Sequence, residues 1–465
     1  MNIQELYPTS YSFDIKGINI DSKIKGQECL FICIKGENYD GHNYVNEAIE
    51  NGAICIITEK DLDISIPYIK VSDTKDELAR IASIFYQNPS SKMNLIGVTG
   101  TDGKTTVATI IKQVVFDTGY IGTNGIDYLC NHYYIKNTTP NPIIINSFLN
   151  DMFNSGIKNC AMEVSSQAIL GKRINYLPFQ IAIFTNLTHE HLDSHHTMEE
   201  YFQTKAQLFS SLDKDSLAII NIDSPYGKRL TKMTKAKVIT YSTQEKATLR
   251  ALNIRFDSKG SVFDLEYKYR IYKRIETNLI GKYNVSNILA CIGVFFDLGI
   301  PFKEIREKLS NLKPIEGRMH MIENGKFLTI VDFAHTPNAL YNLLETSRKF
   351  TKNNLIILLG ATGKRDASKR SLMGQIATEM ADFVIFTEED SYDEALEKII
   401  SDLTADVKRD NYIIIPSRKE AIRHLSKIAS YNDTILITGK GNEKTMSTRN
   451  TVIEYNDIEE ISKYL

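Results

Sequence analysis

Three features of the sequence predict an α/β protein of three domains: a small mixed α/β N-terminal domain over 1–90, a central domain with a mainly parallel sheet over 91–314, and a C-terminal doubly wound domain over 315–465. The first feature is an apolar strand that runs through a glycine-rich turn into a helix, Leu95-Ile-Gly-Val-Thr-Gly-Thr-Asp-Gly-Lys-Thr-Thr106. The second is the turn-rich boundary Asn88-Pro-Ser-Ser-Lys92, and the third is a strand–helix rhythm that restarts after Pro314. With 465 residues, 42% of them apolar, the chain has length for roughly three domains and ample material for their cores.

In the first domain, Glu28-Cys-Leu-Phe-Ile-Cys-Ile34 and Ile54-Cys-Ile-Ile-Thr58 read as strands, separated by a small helix near Asn46 to Asn51. A helix from Lys75 to Tyr86 closes the unit. From Met93 onward, apolar strands alternate with helices: Asn159–Val164, Ile181–Leu187, Leu217–Ile222 and Lys237–Tyr241. Continuous apolar strands of this kind belong to a parallel sheet covered on both faces. Between Thr248 and Leu279 the pattern changes to polar–apolar alternation around Ser258-Lys-Gly260, as expected of an antiparallel edge. The third domain repeats the α/β rhythm with strands at Phe327–Phe333, Leu355–Leu359, Phe383–Thr387, Tyr412–Ile415 and Thr434–Thr438, a Rossmann-like arrangement.

The strand–turn–helix at Leu95 to Thr106 has the chemistry of a phosphate grip, which makes the central unit a P-loop domain. Gly100 and Gly103 let backbone N–H groups turn inward, and the following helix aims its positive end at the same point. Thr101, Asp102 and Thr106 complete the loop. Lys104 is placed to neutralise phosphate charge and Thr105 to hold Mg²⁺. The Gly-x-x-Gly-Lys-Thr spacing is shorter than the usual eight-residue pattern, so it marks a subset of P-loop enzymes.

A net charge of −2 supplies no global basic field, which argues against nucleic acid as the main partner. No run of eighteen apolar residues is present, and the N-terminus lacks a signal-peptide pattern, so neither a membrane partner nor export is expected and the chain reads as cytoplasmic. The six cysteines are scattered without Cys-x-x-Cys spacing, so most are expected to be buried thiols.

Glu163 ends an apolar strand, and Ser165 follows it at the edge where open α/β sheets bind ligands; Glu163 is a candidate Mg²⁺ ligand. A second dense cluster, His189, His191, Asp193, His195 and His196, follows another strand. It is similar to the His-x-His-x-Asp-His of binuclear metallohydrolases, with Ser194 interrupting the pattern, which leaves a zinc hydrolase as an alternative. Lys205 lies on the amphipathic stretch Tyr201–Phe209 just beyond.

Taken together and in order, these blocks resemble the Mur ligase family, ATP-dependent amide ligases of peptidoglycan precursor synthesis, and most closely its members that add the third residue to UDP-N-acetylmuramoyl-L-alanyl-D-glutamate. The resemblance spans nearly the whole chain. Beside the P-loop it rests on Asn137-Thr-Thr139, Met162-Glu-Val-Ser-Ser166, Thr185-Asn-Leu-Thr188 with His191-Leu-Asp193, Asn284-Val-Ser-Asn287, Gly317-Arg-Met319, Val331-Asp-Phe-Ala-His-Thr-Pro337, Lys364-Arg-Asp366 with Lys369-Arg370, and Gly439-Lys-Gly-Asn-Glu443.

The resemblance implies ATP and two Mg²⁺ ions as cofactors. Lys205 would be carbamylated and, with Thr105, Glu163 and His191, would bind metal. Asn287, Arg318 and Asp332 would contact the nucleotide. Ser22 and His42 would hold uridine, and Asn137, Thr138, Thr139, Ser165 and Arg173 the muramoyl peptide. Arg365, Gly439 and Glu443 would receive the amino acid. It also implies a monomer acting only on small molecules: ATP, the UDP-muramoyl dipeptide and an amino acid.

Some positions depart from that pattern. Relatives that add meso-diaminopimelate carry Asp-Asn-Pro-Arg where this chain has Glu389-Asp-Ser-Tyr392, and Tyr392 cannot form the bidentate contact of an arginine. With Glu389, Asp390 and Asp393 making that segment acidic, L-lysine or ornithine is the expected amino acid. Lys23, Gln167, Gly171 and Asn442 are further substitutions. They leave open a paralogue that joins an amino acid to a different carboxylate in specialised metabolism, and a nucleotide-driven switch protein as a non-enzymatic alternative.

Overall fold

Hydrophobic periodicity resolves into three large sheets, with a small two-stranded one of Thr445–Thr448 and Thr451–Glu454, in the computed structural model, which describes residues 1–36, 39–190, 192–448 and 451–465. His191 lies outside the described residues, as does the side chain of Asp193. The N-terminal sheet is parallel throughout, ordered Gly17–Asn19, Cys29–Ile32, Ala53–Thr58, Tyr68–Lys70. The helix Thr74–Phe85 packs on it, its first turn capped by Asp73, whose carboxylate accepts from the Lys75 and Asp76 N–H groups.

At the centre of the middle sheet the strand Asn94–Thr99 lies between Ile181–Phe184 and Asn159–Glu163, parallel to both. Leu217–Asn221 and Lys237–Ser242 extend the parallel run on one side and Thr118–Gly122 on the other. The ribbon Leu249–Asp257, Gly260–Tyr267, Arg270–Thr277 forms the antiparallel edge expected from its alternation. The opposite edge carries a second antiparallel extension, Gly125–Tyr128 and Asn131–Tyr133, which the sequence pattern does not announce.

Strand alternation sends Ile96 and Val98 to one face, where they meet Val107 and Ile111 of the helix Lys104–Val114 and Ile288 and Ile292 of Lys282–Asp297. Leu95 goes to the other face, among Leu149, Met162, Phe202 and Phe209. Both faces are therefore covered, and the ligand edge is the carboxyl end of the strands. Five cysteines are buried and Cys130 is exposed.

The C-terminal sheet runs His320–Glu323, Leu328–Asp332, Thr434–Thr438, Leu355–Leu359, Phe383–Phe386, Tyr412–Ile414, parallel except for its first strand. Among the described residues no helix is long and apolar enough to cross a membrane.

One ion pair pins the end of the chain to this sheet. Arg418 and Asp457 are both fully buried, 2.7 Å apart, and the guanidinium also donates to the Thr438 carbonyl. Asp457→Ala leaves that guanidinium unpaired and is expected to cost about 3–5 kcal/mol, read as a lowered urea midpoint; an unchanged midpoint contradicts this account.

Candidate active site

The loop from Gly100 to Gly103 leaves the central strand and enters the helix Lys104–Val114. Both glycines have positive φ, +149° and +87°. A Cβ at Gly100 would lie 1.9 Å from Thr185 Oγ1, and one at Gly103 would lie 2.5 Å from Asn287 Oδ1. Only glycine lets the loop press against Thr185 and Asn287 while keeping that turn. Lys104 folds back over the loop, donating to the Gly100 and Thr101 carbonyls at 3.1 and 2.8 Å. Burial lowers its pKa, with the Glu163 and Asp102 carboxylates opposing.

Glu163 is fully buried at the end of the neighbouring strand. Its carboxylate accepts from Thr105 Oγ1 at 3.0 Å, Tyr120 Oη at 2.6 Å, and the Thr123 N–H and Oγ1 at 2.9 and 3.2 Å. Among the described residues no lysine, arginine or histidine is ion-paired with it. A buried carboxylate held only by hydroxyls and an amide, beside the Thr105 hydroxyl, fits a hard divalent cation.

Lys205 lies on the helix Met198–Ser210 behind the loop, 1% exposed, with Nζ 3.4 Å from Thr99 Oγ1 and 4.7 Å from the Tyr201 ring centre. Burial, and secondarily the Lys104 charge, hold its pKa well below the ordinary lysine value. That favours a neutral, nucleophilic amine.

The C-terminal lobe reaches this centre through several polar contacts. Arg318 lies over the Phe333 ring and donates to Thr105 Oγ1 at 3.2 Å. Thr336 Oγ1 and Asn338 Nδ2 donate to the Asp102 carboxylate at 3.3 and 3.2 Å. Asp332 accepts from the Met319 and Ala334 N–H groups, so it shapes the turn that carries Arg318 while lining the same cavity. Lys369 and Glu190 form a buried pair at 2.9 Å, each side chain 5% exposed. Burial pushes the Glu190 carboxyl up to about 7, against the opposing Lys369 charge.

The residues assigned to the muramoyl peptide gather beside Glu163. Thr138 Oγ1 lies 3.1 Å from Thr123 Oγ1, and Thr139 Oγ1 donates to the Glu163 carbonyl at 2.7 Å. Arg173 donates to the Thr139 carbonyl at 2.9 Å, and Ser165 caps the helix Ser166–Leu170. Asn137 lines the cavity with them. Ser22 and His42 are placed differently. Ser22 donates to Glu47, and His42 is held between Asp40, at 2.5 Å, and the Glu59 N–H. Neither lines the cavity, which the first domain meets through Ile34, Lys35, Tyr39 and Lys75. Their hydrogen bonds tie together separate segments of the first domain.

The acidic segment also differs from its reading in sequence. Asp390 is paired with Lys440 at 2.7 Å and Asp393 with Lys364 at 2.5 Å. Glu389 is 4% exposed, accepts from Thr362 Oγ1 at 2.6 Å, and lies against Gly439. These carboxylates do not present a free anionic wall, because lysines from other loops neutralise two of them. Tyr392, Arg365 and Glu443 line the cavity, and Glu443 is paired with Lys440 at 2.5 Å.

One cavity of about 2750 Å³ thus joins the P-loop, Glu163, Asn137–Thr139, Arg365, Tyr392 and Glu443. A phosphate loop, a buried metal-type carboxylate and two further substrate walls define a nucleotide-dependent enzyme that brings two substrates together. Known proteins identify it further. Residues 14–92 match the Mur ligase family catalytic domain, 98–295 the Mur ligase middle domain, and 317–441 the Mur ligase glutamate ligase domain. The UDP-N-acetylmuramoyl-L-alanyl-D-glutamate–2,6-diaminopimelate ligases of Halalkalibacterium halodurans and Listeria monocytogenes are 37% and 38% identical, each over 96% of this chain and 93% and 94% of their own. A solved structure of a ligase of that name superposes with a TM-score of 0.70 at 26% identity, covering 100% of this chain and 98% of its own. The MurF ligase of Thermotoga maritima, solved with ADP, has a TM-score of 0.68 at 19% identity over 96% of each chain.

The chain belongs to the Mur ligase family. It is accordingly an ATP-dependent amide-bond ligase of peptidoglycan synthesis, and the hydrolase and switch readings fall. The relatives named for diaminopimelate also weigh against the expectation of another amino acid.

Sequence reasoning missed Tyr120, Thr123 and Asn124, which build the cradle around Glu163, and the Glu190–Lys369 pair. The acid in His189-Glu190-His191 was visible; its lysine partner, 179 residues away, was not. Because the Glu190 pKa is about 7 when docked and near the ordinary 4.5 when exposed, the docked arrangement binds a proton more tightly. Docking of the C-terminal lobe therefore strengthens as pH falls from 7 towards 4.5. Small-angle scattering should show compaction over that window, lost in Glu190→Gln; an identical profile for the variant refutes the assignment.

Proposed function

We propose that this enzyme joins an amino acid to UDP-N-acetylmuramoyl-L-alanyl-D-glutamate through an acyl phosphate, acting as a cytoplasmic monomer whose lobes divide near residues 90 and 314. The observation that carries the reading is the shared cavity, which opens the P-loop, the Asn137–Thr139 wall and the Arg365–Glu443 wall to one another.

In this reading the terminal carboxylate of the dipeptide attacks the γ-phosphorus of ATP, and the bond to the bridging oxygen breaks to release ADP. The amine nitrogen then attacks the acyl carbon, phosphate leaves with the C–O bonding pair, and the amine gives up its proton. Lys104 and Arg318 face the phosphates, Asn287 and Asp332 border the nucleotide, and Arg173 holds the segment that receives the peptide. Arg365 and Glu443 receive the α-carboxylate and α-amine of the amino acid. Thr105, Glu163 and His191 would hold two Mg²⁺ ions together with a carbamate on Lys205, and the ions supply charge neutralisation at the phosphates. Fixing both reactants in one cleft provides proximity and limits hydrolysis.

The relatives make diaminopimelate the first amine to consider. Tyr392 favours a second reading, L-lysine, because a phenol gives no guanidinium for a distal carboxylate. A different acyl carrier is the remaining alternative. Mass spectrometry of products from UDP-muramoyl dipeptide, ATP, Mg²⁺ and an amino-acid panel decides between them: the added mass names the amine, and no amide product overturns the reaction. If Tyr392 selects lysine, Tyr392→Arg should shift the kcat/KM ratio towards diaminopimelate by about tenfold, the scale of one charge-assisted contact.

The lowered Lys205 pKa favours the neutral amine that carbamylation requires, the amine adding CO₂ and losing a proton. A carbamate carbon resonance from ¹³C-bicarbonate, absent in Lys205→Ala, is expected; equal signals from both proteins would refute it.

A further inference from the structure

Asn442 stands where the family block has histidine, and nothing in the proposed reaction uses it. In the structure its Nδ2 donates to Asn124 Oδ1 at 3.1 Å, across the boundary between the C-terminal and central lobes. The Asn124 backbone N–H in turn donates to Tyr120 Oη at 3.2 Å. Tyr120, 1% exposed, donates its own hydroxyl to Glu163 Oε1 at 2.6 Å. A short hydrogen-bonded path therefore runs from the residue next to Glu443 to the buried carboxylate.

Both ends of that path are tightly seated. The turn between Thr118–Gly122 and Gly125–Tyr128 presses on Glu163: a Cβ at Gly122 would fall 2.3 Å from Glu163 Oε1. Thr123 in the same turn gives the carboxylate its N–H and hydroxyl. At the other end, a Cβ at Gly317 would lie 2.3 Å from the Asn442 backbone nitrogen, so the turn bearing Arg318 backs the loop. The loop cannot shift without disturbing either Arg318 or the Asn124 turn.

We propose that Asn442 and Tyr120 are positioning residues that couple the seating of the amino acid at the Gly439–Glu443 loop to the alignment of Glu163. The cation site and the amine site then form together. Such coupling suits a reaction whose activated acyl group must be captured by the amine before water consumes it. The inference rests on the proposed roles of Glu163 and Glu443.

The test uses the full-length enzyme with Asn442→Ala, Asn124→Ala, the double variant and Tyr120→Phe. Mn²⁺ is titrated calorimetrically into each enzyme–ADP complex, and KM for the amino acid chosen from the panel is measured separately from KM for the acyl substrate. Asn442→Ala should weaken Mn²⁺ binding and raise the amino-acid KM by about three- to tenfold each, the range for one neutral hydrogen bond, with the acyl KM unchanged. Asn124→Ala should do the same, the double variant no more, and Tyr120→Phe should weaken Mn²⁺ similarly. Wild-type Mn²⁺ affinity in Asn442→Ala, or additive losses in the double variant, would overturn the coupling. No Mn²⁺ binding by the wild-type complex overturns the metal role of Glu163, and the inference with it; no amide product from the wild type overturns the functional reading alone.

Discussion

Close approach of backbone at two glycines is the constraint on which the rest of this structure depends. Gly100 and Gly103 turn with positive φ so that the loop can lie against Thr185 and Asn287. Thr185 follows one neighbouring strand and Asn287 sits on the helix Lys282–Asp297, so the two contacts fix the loop between the sheet and a helix on its face. The helix Lys104–Val114 then points its N-terminus at the carboxyl edge, where its dipole and free N–H groups favour an anion. Thr105, one residue into that helix, touches Glu163 on one side and Arg318 on the other. The nucleotide loop, the metal-type carboxylate and the third lobe thus share one hydroxyl.

What could be read from the sequence follows from how local each rule is. The P-loop was legible because glycine, lysine and threonine at fixed spacing have few other uses, and the parallel strands because burial on both faces leaves continuous apolar runs. The ribbon from Leu249 to Thr277 showed itself by period-two alternation. The opposite edge did not: Gly125–Tyr128 and Asn131–Tyr133 are four and three residues long, too short for a period to register. Ser22 and His42 matched a family segment, but the sequence does not give their surroundings, which are Glu47 for one and Asp40 with the Glu59 N–H for the other, off the walls of the central cavity. The acids from Glu389 to Asp393 looked like an anionic field because their partners lie elsewhere in the chain: Lys440, which pairs with Asp390, is 50 residues further on, and Lys364, which pairs with Asp393, belongs to another loop. Charge in sequence is a list of ions; charge in a site depends on which ions the fold pairs.

Polar contacts cross both lobe boundaries, beside apolar ones in which Ile143 packs on the first core and Ile280 and Tyr283 on the third. Asp73 meets Lys172 at 2.6 Å and Asp76 meets Asn175, tying the first lobe to the second. Asp102 with Thr336 and Asn338, Glu190 with Lys369, and Asn124 with Asn442 tie the second to the third. Contacts of this kind cost desolvation on formation and return most of it, so each net contribution is small. Polar contacts of this kind can part and re-form at lower cost than a purely apolar seam of the same size.

Lys205 and Glu163 are both buried, and each is held by neutral groups rather than by the other. Lys205 sits behind the loop against Thr99 and Tyr201, while Glu163 faces forward, held by Thr105, Tyr120 and Thr123. A direct Lys–Glu pair would satisfy both groups and cancel the site's capacity for a cation. Keeping the ammonium form of Lys205 disfavoured by burial, and Glu163 hydrogen-bonded by hydroxyls and an amide with the Lys104 charge nearby, leaves a carboxylate available where phosphates and their counterions must meet. Burial disfavours the ammonium form of Lys205, and a carbamate on it, as proposed above, would replace a disfavoured cation with an anion.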